Sequence, residues 1–154
     1  MFQNCTSLAE VELPILASVG SVTNGYVMRD MFSGCTALKS ASMPLLSWVH
    51  NSNNMYAAFD NCSSLETVDL RKLSDIQSSN NTAWMFSHCT SLVEVNFSEA
   101  TAVPQLSNVN AFNDTNSTFQ IVVPDALYDQ WKAANNWSQF ASQIVKASEY
   151  VPAA

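Results

Sequence analysis

Apolar residues recur along this chain with two periods at once. Over short distances they alternate with polar ones, as in Leu8-Ala-Glu-Val-Glu-Leu13 and Leu65-Glu-Thr-Val-Asp-Leu70. That alternation marks a strand with one buried face. Over longer distances the same residue types return at the same stations. Met1-Phe-Gln-Asn-Cys-Thr-Ser-Leu8 comes back as Met31-Phe-Ser-Gly-Cys-Thr-Ala-Leu38, Ala58-Phe-Asp-Asn-Cys-Ser-Ser-Leu65 and Met85-Phe-Ser-His-Cys-Thr-Ser-Leu92. A worn further copy begins Ala111-Phe-Asn-Asp-Thr115. The phenylalanines stand at 2, 32, 59, 86 and 112, so the spacings are 30, 27, 27 and 26, the longest reflecting an insertion around Tyr26.

Aligned on that phenylalanine, the copies form columns. Cys5, Cys35, Cys62 and Cys89 share one, and Leu8, Leu38, Leu65 and Leu92 the next. Val11, Ala41, Val68, Val95 and Ile121 follow, then Leu13, Met43, Leu70, Phe97 and Val123. No unit of this length buries its own apolar face, but stacked units share a continuous core. The pattern therefore predicts an α/β solenoid of about five coils, each adding one short strand to a parallel ladder at a spacing of roughly 4.8 Å. Pro14, Pro44 and Pro124 end their strands because proline has no ladder donor. Asn51-Ser-Asn-Asn54 and Ser78-Ser-Asn-Asn81 read as turns on the far side.

Repeats fall near 1–30, 31–57, 58–84, 85–110 and 111–123, giving a solenoid over 1–123. From Pro124 the pattern changes. Pro124 with Asp125 and Asp129 suits the start of a helix, and Leu127, Trp131 and Ala134 form its apolar stripe. After Asn136 a second short helix is expected to carry Trp137, Phe140 and Ile144. Residues 124–150 thus read as a C-terminal helical cap and 151–154 as a frayed tail. The front has no matching cap, since Met1-Phe2 already occupies repeat stations. Three readings are open: a fragment with an N-terminal neighbour domain, an end covered by a partner or by self-association, or a frayed first coil.

Composition narrows the partners. Six Lys+Arg against 13 Asp+Glu give a net charge of −7, which lacks the basic footprint that nucleic acid or an anionic membrane requires. Polarity comes instead from 21 Ser, 15 Asn and 9 Thr, a composition that recurs on extracellular proteins. No apolar run reaches the ~18 residues of a membrane span, so no membrane insertion is expected. The N-terminus has no basic start followed by an apolar stretch, so no export signal is expected within this segment.

The segments Met31-Phe-Ser-Gly-Cys-Thr-Ala-Leu-Lys-Ser-Ala-Ser-Met-Pro44 and Ala58-Phe-Asp-Asn-Cys-Ser-Ser-Leu-Glu-Thr-Val-Asp-Leu70 resemble the BspA-like leucine-rich repeats. The tail from Val123 through Trp131, with Asn136-Trp-Ser and Ile144-Val-Lys, is similar to the closing segment of such arrays in gut bacteria. The resemblance implies a leucine-rich-repeat solenoid from a bacterial surface protein, in a family with members implicated in adhesion and host-protein binding.

The reactive residues have bland readings. The four cysteines are spaced by whole repeats and include no close zinc-type pair. They read as a column of buried thiols, a disulfide or a metal site being the less favoured alternatives. His88 shares a station with Asn4, Gly34, Asn61 and Asp114 and reads as a turn residue, while His50 adjoins an Asn-rich turn. Neither sits in a triad-like context, so no enzyme, no metal and no cofactor is expected. Sequons such as Asn4-Cys-Thr6, Asn61-Cys-Ser63 and Asn136-Trp-Ser138 arise from the repeat and matter only in a eukaryotic secretory pathway.

The outward strand stations carry the functional expectation. Glu10, Ser40, Thr67, Glu94 and Gln120 make one row, and Glu12, Ser42, Asp69, Asn96 and Val122 the other. Together they predict a mildly acidic, hydroxyl- and amide-rich strip of the sort solenoids use for binding, the alternative being a merely solvated face. Tyr26, Met28, Trp48, Met55, Tyr56 and Trp84 are either a second wall of the core or a contact surface. The expected function is noncatalytic recognition or adhesion, extracellular or at the cell surface, with a protein or glycan on a host or neighbouring cell as ligand. The alternative is a structural spacer or stalk in a surface filament or phage tail.

Overall fold

The computed structural model describes residues 1–19, 28–50, 54–77 and 81–152. Tyr26, the first three residues of each Asn-rich turn (51–53 and 78–80) and the tail residues 153–154 lie outside these. The first coil carries β1 (Glu10–Glu12) and β2 (Ser18–Val19), and the second β3 (Ser40–Ser42) and β4 (Trp48–Val49). The third carries β5 (Thr67–Asp69) and β6 (Asp75–Ile76), followed by β7 (Glu94–Asn96), β8 (Gln120–Val123) and β9 (Ile144–Lys146). Six strands make one sheet, in the order β1-β3-β5-β7-β8-β9, and β2-β4-β6 make a second. Every pairing is parallel. The inward column Val11, Ala41, Val68, Val95, Ile121 and Ile144 is in register from strand to strand.

The phenylalanines stack as the repeat requires. Ring centroids lie 5.7 Å apart from Phe2 to Phe32, 5.3 Å to Phe59, 5.6 Å to Phe86 and 5.2 Å to Phe112. Around them the backbone forms a further ladder without strand geometry. Phe32 N–H donates to the Ala58 carbonyl and Phe59 N–H to that of Met85, both at 2.9 Å. Gly34 N–H reaches Asp60 and Asn61 N–H reaches Ser87 in the same way. Each coil donates to the next, so the amides of these tight turns are satisfied between coils. Left-handed residues accompany the ladder. Asn4, Gly34, Asn61, His88 and Asp114, two stations after the phenylalanine, all have positive φ. So do Asp30, Ala57 and Trp84, two stations before it.

The Asn-rich segments end inside the protein rather than on its surface. Asn54 and Asn81, at equivalent stations, are fully buried. Asn54 N–H donates to Asn81 Oδ1 at 2.7 Å, while the two side-chain amides donate to the carbonyls of His50 and Gln77. Next door, Thr82 N–H donates to Ser107 Oγ at 3.0 Å and Ser107 N–H to Thr82 Oγ1 at 2.7 Å. Polar side chains thus link consecutive coils where no strand does.

At the C-terminus a 3₁₀ turn, Asp125–Leu127, leads into α1 (Tyr128–Ala133), with Asp129 in its first turn and Lys132 in its last. Trp131 and Trp137 are buried against each other at 4.6 Å and against Phe97 at 5.0 and 5.8 Å. Trp137 Nε1 donates to the Pro104 carbonyl at 2.7 Å. The expected second helix is instead a 3₁₀ turn, Trp137–Phe140, followed by strand β9, in which Ile144 pairs with Ile121. The edge of β8 explains the difference. Ile121 N–H donates to Gln143 and Ala147 N–H to Val123, both at 2.9 Å, a satisfaction that a helix could not provide.

Candidate functional site

The cysteine column is consumed by the fold. The Sγ of Cys35 donates to the Phe2 carbonyl at 3.0 Å, Cys62 to Phe32 at 3.1 Å and Cys89 to Phe59 at 3.2 Å. All four cysteines are free thiols. Burial first, and the neighbouring Cys35 thiol second, push the Cys62 thiol up to about 12. Cys35 and Cys89 are raised too, also chiefly by burial. A thiol held protonated is neither a nucleophile nor a metal ligand. Among the described residues, no group of three or more His, Cys, Asp or Glu side chains is placed to hold a metal ion.

His88 occupies its left-handed turn at φ 58° and bridges three coils. Its Nδ1 lies 3.1 Å from Asp60 Oδ1 and its Nε2 lies 3.4 Å from Asp114 Oδ2. Ser87 Oγ also contacts Nδ1, at 2.9 Å, but Ser87 is completely buried and out of a substrate's reach. A relay from hydroxyl through imidazole to carboxylate needs an accessible hydroxyl. The arrangement ties turns together.

The outward strand stations line up in two rows across five strands. Glu10, Ser40, Thr67, Glu94 and Gln120 are successive partners, and so are Glu12, Ser42, Asp69, Asn96 and Val122. The rows are not uniform. Asp69 Oδ1 accepts the Arg71 N–H at 3.1 Å, and Asn96 Oδ1 accepts the Ser98 N–H at 2.9 Å. In the coils where proline stands after the strand, there is no such N–H to satisfy. Asp69 and Asn96 therefore close turns, and Asp69 also takes the Arg71 guanidinium, Nε to Oδ1 at 3.0 Å. Val122 is 2% exposed and belongs to the interior. Glu94 accepts the Tyr150 hydroxyl at 2.7 Å, because the chain beyond β9 returns across the outward face of β8. Glu10, Glu12 and Thr67 are exposed and Ser40, Ser42 and Gln120 half-buried, so the fully exposed stations of the strip belong to the first three coils.

The aromatic group divides. Met28 and Met55 are core residues. Tyr56 receives the Arg29 guanidinium 4.5 Å from its ring centroid, and Trp84 is 37% exposed. Trp48 belongs to neither wall. It lies half-buried on the second sheet, its ring tilted by 37° against that of His50 at 4.5 Å, beside an open groove of about 520 Å³. Three coils line this groove, with Ser47 and His50 from one, Lys72, Ser74 and Asp75 from the next, and Glu99 and Thr101 from the third. Asp75 Oδ2 meets His50 Nε2 at 2.8 Å and Gln77 Nε2 at 3.1 Å. Sequence reasoning offers Trp48 as a candidate contact residue but not the groove around it, though one further signal was available. Trp48 is an aromatic residue in register with Ser18 on one side and Asp75 on the other.

The pattern of the BspA type leucine-rich repeat region matches residues 1–134 in six copies. The chain belongs to the BspA-type leucine-rich repeat family. Members of this family are typically surface-associated and generally noncatalytic, repeat-based interaction modules. No curated protein and no solved structure matches the chain. Among the described residues of this BspA-type chain, no helix is long and apolar enough to cross a membrane.

Proposed function

We propose that this BspA-type chain is a noncatalytic recognition module of a bacterial cell surface, which binds a protein or glycan in adhesion. The observation that carries the reading is the division of labour within each coil. Thiols, asparagines and the bridging histidine are engaged in linking coils, which leaves Glu10, Glu12, Ser40, Ser42 and Thr67 on β1, β3 and β5 as the surface free to vary. A rigid scaffold that offers an extended polar strip is what solenoid recognition employs. Glu10 and Glu12 are the natural contacts for a basic or hydroxyl-rich ligand, since both are exposed.

The test is retention of the full chain on immobilised matrix glycoproteins and on a printed array of mammalian oligosaccharides. Binding without chemical change of the ligand is expected. Glu10→Lys combined with Glu12→Lys should weaken protein binding by tenfold or more with no change in melting temperature, because exposed substitutions away from special features move stability by only about 0.5 kcal/mol. Unchanged affinity in that double variant removes the strand face as the site. Failure to bind either class of probe removes the reading.

A further inference from the structure

We propose that the groove beside Trp48 is a binding site for a short neutral oligosaccharide, an inference that rests on reading the chain as a recognition module. The groove holds about 520 Å³, within the roughly 300–1,000 Å³ range of small-ligand sites. Its residues come from three consecutive coils, so the ladder that builds the core also fixes their spacing.

Trp48 is the decisive residue. Ser18 and Asp75, its partners on β2 and β6, are polar, and Val49, in register with Val19 and Ile76, supplies the inward side chain of the strand. The repeat therefore asks for a polar residue at this outward station, and the core has no use for an indole there. An aromatic face beside a carboxylate is the pairing that sugars exploit. The C–H face of a pyranose packs on the ring while its hydroxyls donate to the acid. Asp75 sits one strand away from Trp48, at a lateral spacing of about 4.8 Å. Its Oδ2 is already held by His50 and Gln77, which orients the carboxylate and leaves Oδ1 unpartnered among the described residues.

Across the groove, Lys72 Nζ lies 4.0 Å from Glu99 Oε2, and Arg71, held by Asp69 outside the lining, brings its Nη1 to 3.6 Å from Glu99 Oε1. Both separations exceed hydrogen-bond length, so these charged groups retain capacity for ligand hydroxyls. Thr101 adds a hydroxyl whose partner is Ser74 Oγ at 3.2 Å. The lining sets two carboxylates, Asp75 and Glu99, against one ammonium, Lys72, because Arg71 is engaged by Asp69, and this acidic balance disfavours an anionic glycan relative to a neutral one. A protein ligand would look for a buried apolar anchor pocket, and apart from Trp48 the lining is polar.

The experiment is an array of neutral and sialylated oligosaccharides probed with the full chain, followed by calorimetric titration of the strongest neutral binder. The expected result is retention of at least one neutral oligosaccharide with quenching or enhancement of indole fluorescence. Trp48→Ala and Asp75→Asn should each lower the affinity tenfold or more. Trp48→Phe should keep most of it, and Glu10→Lys should leave it unchanged. Asp75→Asn preserves shape, so it reports on the site even if Trp48→Ala unfolds the chain. Retention of sialylated glycans alone overturns the neutral class. Affinity indifferent to both Asp75→Asn and Trp48→Ala overturns the groove. If no glycan binds while matrix glycoproteins still bind through Glu10 and Glu12, the groove assignment fails and the recognition module stands.

Discussion

The thiol of Cys62 donates to the main-chain carbonyl of Phe32, 3.1 Å away and one coil earlier. The same relationship joins Cys35 to Phe2 and Cys89 to Phe59, so the cysteine column ties each coil to the one before it. Protonated thiols are part of that tie, and burial raises them. A group whose folded-state value is raised stabilises fully below its unfolded value and loses that contribution as pH rises. For Cys62 the window runs from 9.0 to about 12. Stability should therefore fall above pH ~9 by roughly 1.4 kcal/mol per pH unit for each thiol still protonated in the fold. Denaturant melts at pH 8 and pH 10 check this, and a Cys62→Ala variant should show a shallower alkaline slope. A slope unchanged by that substitution would count against the role given to the thiol.

Phe59 is completely buried between Phe32 and Phe86, whereas Phe2 at the open end of the stack is 38% exposed. The two positions are equivalent in sequence and unequal in packing. Truncating a buried phenylalanine typically costs about 3–5 kcal/mol through lost transfer energy and the cavity left behind. Phe59→Ala should fall in that range, and Phe2→Ala should cost about 1 kcal/mol or less, since much of its ring already faces solvent. Equilibrium urea unfolding of the two variants makes the comparison. Equal losses would show that the stack does not end at Phe2.

These contrasts show what the repeat could and could not reveal. Stations occupied by one residue type in every coil were legible, because a ladder forces like side chains into contact; Phe32, Phe59 and Phe86 are the plainest case. Stations where a polar residue serves the backbone were legible as turns but not as buried ones. Asn54 and Asn81 stand 27 residues apart at one station, but an Asn-rich run looks like any exposed turn until its burial is seen. Ile144 fits an apolar helical spacing with Trp137 and Phe140, yet the unpaired edge of β8 outweighed local periodicity. Alternation placed Val122 outward without anticipating that the chain would return over it. Asp69 and Asn96 were grouped with Glu12 and Ser42, although the absence of proline two residues later separates them. The groove at Trp48 joins three coils through side chains of different types, and column matching is blind to that.

Ala57 stands in the left-handed region at φ 50°, at the station also occupied by Asp30 and Trp84. For an L-residue with a Cβ this costs roughly 1–2 kcal/mol. The ladder demands it, since Ala57 N–H donates to the Ala83 carbonyl at 2.9 Å. Glycine relieves the strain while losing more chain entropy on folding, by roughly 0.5–1 kcal/mol relative to alanine. Ala57→Gly should therefore leave stability unchanged or raise it by up to about 1 kcal/mol, the reverse of the usual effect of this substitution. Ala58→Gly, one residue on at an ordinary backbone angle, should destabilise. Thermal melts of the pair distinguish them, and a loss at Ala57 matching that at Ala58 would mean that strain at this station is negligible.

Tyr150 reaches Glu94 across β8, which lies between β7 and β9 in the sheet. Because Glu94 points outward, the C-terminal segment must cross the face on which Val122 would otherwise be exposed. Burial, and then the hydrogen bond to the Glu94 carboxylate, hold the Tyr150 hydroxyl well above its ordinary 10.0. The raised value means that this contact stabilises fully below pH ~10 and weakens only as pH rises beyond it. Tyr150→Phe should cost about 1–2 kcal/mol at neutral pH, since the bond is to a charged acceptor and Glu94 is left without its donor. The substitution should also remove the most alkaline step from an ultraviolet tyrosinate titration. With the strap loosened, amide exchange at Val122 and Val123 should quicken while that at Val68 stays slow, because β5 lies two strands from β8, beyond the strap's anchor on Glu94. A Phe variant whose titration and exchange match the parent chain would mean that the segment beyond β9 rests on the sheet without fastening to it.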